Sequence, residues 1–119
     1  MRLALAICCM LVLGSPAQTR AHAFLDHADP RVGSTVQVTP AEVRIWFTQD
    51  IEGAFSTVNV RDAKGQRVNK SDSRVDPADH TLLRVPLDTL APGVYTVAWR
   101  VISVDTHVTE GDFVFTVGK

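Results

Sequence analysis

Apolar side chains return at every second position in one short run after another along this chain. Few folds other than a sheet with one buried face accept that period. Val43, Ile45 and Phe47 alternate with Arg44, Trp46 and Thr48, and Leu83, Val85 and Leu87 repeat the pattern. Phe113, Phe115 and Val117 end the chain in the same register. Thr57 to Arg61 is a further run, closed by the turn sequence Asp62-Ala63-Lys64-Gly65. The longest is Val94 to Val104, with Tyr95, Val97, Trp99 and Val101 on one face and Val94, Ala98 and Ile102 on the other. Apolar residues on both sides predict a central strand covered on both faces. Ala23 to Ala28 reads as a first edge strand, stopped by Asp29-Pro30 and Gly33.

Between the runs lie polar connections. Asn69 to Asp79 is a proline-bearing loop with at most a poor edge strand, Asp88 to Gly93 a turn, and Glu110 and Asp112 a solvated turn around Gly111. No amphipathic helical stretch of ordinary length follows residue 22, and no internal repeat is visible. About seven short strands at this spacing predict an all-β, immunoglobulin-like sandwich of antiparallel strands. Tyr95, just after Pro92-Gly93 at a strand start, suits a tyrosine corner, though a plain core aromatic also fits.

The first two dozen of the 119 residues read differently. Met1-Arg2 is a short positive segment, Leu3 to Leu13 is unbroken apolar chain, and Gly14-Ser15-Pro16 ends it, as in a secretory signal. That run falls short of the roughly 20 residues a membrane-spanning helix needs, so it predicts export without stable insertion in the membrane. Cuts after Ala17, Ala21 or Ala23 all satisfy a small-x-small rule, which by itself favours the last. Cys8, Cys9, Met1 and Met10 all lie in the removed segment, leaving no thiol and no thioether for Cu(I). Removing Arg2 and Arg20 from the 12 basic residues leaves 10 against 13 acidic ones, a net charge of −3. The basic residues are scattered, which argues against nucleic acid and against an anionic membrane surface.

One stretch carries chemistry. In Val104-Asp105-Thr106-His107-Val108 a carboxylate and an imidazole stand two residues apart, and in extended chain they would share a face. A divalent transition ion wants about four donors. A cut before His22 would supply two more, the α-amine and the ring. Nitrogen donors with one carboxylate and no sulfur suit Cu(II) best. Affinity would fall with pH, since amines and imidazoles ordinarily titrate at about 7.7 to 8.0 and about 6.5. By spacing alone, Asp105-Thr106-His107 reads first as a polar loop between strands, because D-x-H arises often by chance. His27 and His80 read as surface residues, and Trp46 and Trp99 as packing residues rather than stacking platforms.

Taken together these residues resemble the CopC family of periplasmic copper-binding proteins. The likeness runs through Ala21-His22-Ala23-Phe24-Leu25 with Asp29-Pro30 and Gly33-Ser34, through Val43 to Thr48, through Leu90 to His107, and through Gly111 with Phe113 to Val117. The combination of an initial histidine, a Y-x-V-x-W-R-V strand and an S-x-D-x-H ending is specific.

The resemblance implies a Greek-key sandwich, a cut after Ala21, a signal at residues 1–21 and a copper-binding domain at 22–119. It implies one Cu(II) per monomer held by His22, Asp105 and His107, with no enzymatic activity. It further implies a monomer acting in the periplasm in copper resistance or homeostasis, with a CopD-type inner-membrane copper transporter as partner.

Two departures stand out. The region of Asn69 to His80 lacks the methionines that bind Cu(I) in some members, which predicts a Cu(II)-only protein, and Gln49 stands where some members carry a glutamate. Two other classes fit less well. One is an oxidative enzyme with a histidine brace, similar to lytic polysaccharide monooxygenases, and the other is a metal-free immunoglobulin-like interaction module.

Overall fold

The computed structural model describes residues 23–119, and the signal-peptide reading and His22 lie outside them. Eight strands form: β1 (Leu25–Asp29), β2 (Thr35–Val36), β3 (Glu42–Phe47), β4 (Thr57–Arg61), β5 (Arg74–Val75), β6 (Leu82–Pro86), β7 (Gly93–Ile102) and β8 (Val108–Val117). The only helix among the described residues is a single 3-10 turn at Gly53–Phe55, so none is long and apolar enough to cross a membrane.

The strands make two four-stranded sheets, ordered β1-β3-β6-β5 and β2-β8-β7-β4. That is the immunoglobulin-like division, in which a chain that starts in one sheet crosses repeatedly to the other. All pairs are antiparallel except the two-residue β2, which runs parallel to the end of β8 through Thr35↔Thr116 and Val36↔Val117. The alternation does what it predicts. Val43, Ile45, Phe47, Leu83 and Val85 from one sheet meet Val58, Val60, Val97, Val101, Phe113 and Phe115 from the other in one buried cluster. Tyr95 is a tyrosine corner: its hydroxyl donates to the Ala91 carbonyl at 2.5 Å, and its ring stacks on Phe115 at 5.5 Å between centroids.

Three expectations need correction. β7 is central but covered on one face only, because Val94, Thr96, Ala98 and Arg100 face solvent on the outer side of a two-layer sandwich. It also stops at Ile102, leaving Ser103 to a single bridge with Ile51 and Val104 to a turn. Glu110 to Asp112, expected to turn, continue β8, with Gly111 paired to Trp99. The glycine is there for space. A Cβ at position 111 would stand 2.7 Å from the Trp99 ring, which leans across it to meet Phe47 edge-on at 5.3 Å. Trp99 thus packs against the core, whereas Trp46 lies on the outer face, stacked on the exposed His27 ring at 4.3 Å with Arg44 over it at 5.4 Å.

Candidate metal centre

The β7–β8 hairpin closes its ten-residue ladder at Ile102↔Val108. At its tip the Ser103 N–H donates to the His107 carbonyl at 3.0 Å and the Thr106 N–H to the Ser103 carbonyl at 2.9 Å. Thr106 takes the left-handed conformation, φ 74°, that ends this kind of three-residue turn. Asp105 and His107 are therefore not in extended chain, as their spacing suggested. They converge because the chain reverses between them, and the Asp105 Oδ1 and His107 Nδ1 atoms stand 3.4 Å apart with both side chains open to solvent.

The carboxylate is prepared from within. Ser103 is buried, and its hydroxyl donates to Asp105 Oδ1. That bond first, and the neighbouring His107 second, hold the Asp105 carboxyl below the ordinary carboxylate range, against the opposing effect of partial desolvation. Carboxylate oxygen and imidazole nitrogen are both donor types that divalent transition ions accept. Ser103 did not figure among the proposed ligands, and its place two residues before Asp105 was the signal available.

The start of β1 lies against the same corner. The Thr109 hydroxyl, two residues beyond His107, donates to the carbonyl of the fully buried Ala23. On the other side the Phe24 N–H donates to Thr48 Oγ1 at 3.0 Å, and the Thr48 N–H to the Phe24 carbonyl at 2.8 Å. The segment after β3 completes the surround: the Val104 N–H donates to the Asp50 carbonyl at 3.2 Å, next to the half-buried Gln49.

Among the described residues no group of three or more His, Cys, Asp or Glu side chains is gathered closely enough to hold a metal ion. Asp105 and His107 are brought together; the third residue of the predicted set, His22, is outside the described residues. His27 and His80 are exposed, as expected, and neither joins the pair: His27 binds Asp26 at 2.7 Å and stacks on Trp46. His80 lies in the turn before β6.

The CopC domain family matches residues 25–118. Protein YobA of Escherichia coli (strain K12) is 36% identical over 98 residues, which cover 82% of this chain and 79% of that protein. The crystal structure of CopC from Methylosinus trichosporium OB3b superposes with a TM-score of 0.77 at 32% identity, over 82% of this chain and 94% of that one. That of PcoC, a methionine-rich copper resistance protein from Escherichia coli, gives 0.69 at 29% identity, over 82% and 99%. Residues 23–119 here contain no methionine.

Proposed function

Because this chain belongs to the CopC family of copper resistance proteins, we propose that it is an exported, periplasmic carrier of one Cu(II) ion per monomer. Asp105 supplies a charge-balancing oxygen, His107 one imidazole nitrogen, and His22, as the first residue of the processed chain, an α-amine and a second imidazole. The observation that carries the reading is the convergence of an ionised carboxylate and an imidazole, 3.4 Å apart, on an open turn beside the anchored start of β1. Three nitrogens and one oxygen, without sulfur, form the donor set that Cu(II) prefers over other divalent ions. With no thioether in residues 22–119, Cu(I) has no soft ligand to move to.

Packing supports a cut after Ala21 rather than after Ala23. The second cut would delete a fully buried residue and the carbonyl that Thr109 binds, leaving the Thr109 hydroxyl without that acceptor. The protein acts by holding and handing over the ion, without chemical turnover. An open site at one end of a rigid sandwich suits delivery to a membrane copper transporter of the CopD type.

His107→Ala and His22→Ala test the assignment by competition titration with Cu(II). Changes one shell further out cost roughly 10- to 100-fold in metal affinity. Loss of a direct ligand is therefore expected to cost more, about 100-fold or beyond, and near-normal affinity in either variant contradicts the reading.

A further inference from the structure

We infer that Thr48 and Thr109 are positioning residues for the copper site: together they clasp the Ala23–Phe24 peptide and so hold the residue before it, His22, beside the Asp105–His107 turn. The inference rests on the proposed role of His22 as a chelating terminus.

Both polar atoms of that one peptide are bound by threonine hydroxyls. Its carbonyl, from Ala23, accepts from Thr109, and its N–H, from Phe24, donates to Thr48. The two threonines come from the two layers, Thr48 as the first residue after β3 and Thr109 as the second residue of β8. The peptide is thus gripped from both layers of the sandwich, one residue before β1 begins pairing at Leu25↔Phe47. Chain starts normally fray unless something ties them down. Here Ala23 is fully buried instead.

The geometry fits the reach of a chelating end. Thr109, the second residue of β8, follows His107 by two positions. A terminus held by the clasp keeps one residue of freedom, so most of the ordering needed to close a two-nitrogen chelate is already present in the metal-free fold. Without the clasp the same donors would have to be ordered by the ion itself, and affinity would drop.

Thr48→Val and Thr109→Val keep the branched shape and remove the hydroxyls; Thr109→Ser restores one. In the metal-free protein, hydrogen exchange of the Phe24 amide is expected to quicken about 5- to 10-fold in T48V, the value of one hydrogen bond. Competition titration is expected to show Cu(II) affinity reduced about 10- to 100-fold in T48V and T109V, as for other groups that orient ligands. T109S is expected to bind as the wild type does, which separates the hydroxyl's role from a general loss of folding.

Phe24 exchange unchanged by T48V overturns the clasp itself. Unchanged Cu(II) affinity in both valine variants overturns its positioning role. Wild-type affinity in His22→Ala, with Phe24 protection still dependent on Thr48, removes the chelating terminus and that role with it. The two failures are thereby told apart.

Discussion

At Ser103 a buried hydroxyl donates to the Asp105 carboxylate, while the same residue's N–H donates to the His107 carbonyl 3.0 Å away. One small residue therefore sets both the ionisation of the carboxylate and the fold of the turn that presents it. Removing only the hydroxyl, in Ser103→Ala, leaves the backbone bond and frees Asp105 to rotate. Its carboxyl then moves up toward its ordinary value of about 3.9, so protons compete with metal over a wider acid range. Cu(II) affinity at neutral pH is expected to fall by about 10- to 100-fold, with a steeper loss below about pH 5. Equal titration curves for S103A and the wild type contradict this account of the carboxylate. The Asp-x-His pair itself was legible in the sequence, but its geometry was not. Thr106 is β-branched and gives no hint of the left-handed conformation, φ 74°, that turns an extended pair into a hairpin tip.

Among the elements, the β7–β8 hairpin carries the proposed site and shows where pattern reading succeeds and fails. The buried run of Tyr95, Val97 and Val101 was readable, because period two is local to the chain. Gly111 misled, because a glycine between Glu110 and Asp112 looks like a turn when Trp99, its cross-strand partner, is 12 positions away in the sequence. The steric reason for that glycine lies across the ladder. Gly111→Ala sets a Cβ 2.7 Å from a ring that is itself wedged against Phe47. Overpacking of this kind costs about 1 to 3 kcal/mol. A fall of that size in unfolding free energy, measured with urea, is the expected outcome; unchanged stability would mean that the indole moves aside freely. β2, two residues long and paired in parallel with β8, carries too little pattern to be read at all. Thr48 and Thr109, 61 positions apart, are likewise joined only by the fold.

At the scale of the whole molecule, acid sensitivity and metal loading are the two readouts. Asp76 is held below the ordinary carboxylate range, first by the Ala78 N–H at 2.8 Å and then by Arg84 at 2.7 Å. Asp79 is held low by the Thr81 hydroxyl and N–H at 2.6 and 3.0 Å. Because these folded values are depressed, the stability they contribute is present above the ordinary value of about 3.9 and is lost as pH falls through the folded values. Asp105 adds to the same trend. The melting temperature of the metal-free protein is expected to drop below about pH 4, and Asp76→Asn to make that drop shallower. An identical acid profile for the variant removes Asp76 from the account.

The sandwich, its core and its family were all legible from residue pattern and motif, because strands with one buried face announce themselves locally. Closure of the proposed site was not, because as proposed it depends on a cut before His22, outside the described residues. The most direct test is the intact mass of the protein recovered from the periplasm, with and without one equivalent of Cu(II). The account predicts a chain beginning at His22 that retains one copper ion against mild competitors. A chain beginning at Phe24 would lack two of the proposed donors, leave only Asp105 and His107, and contradict it.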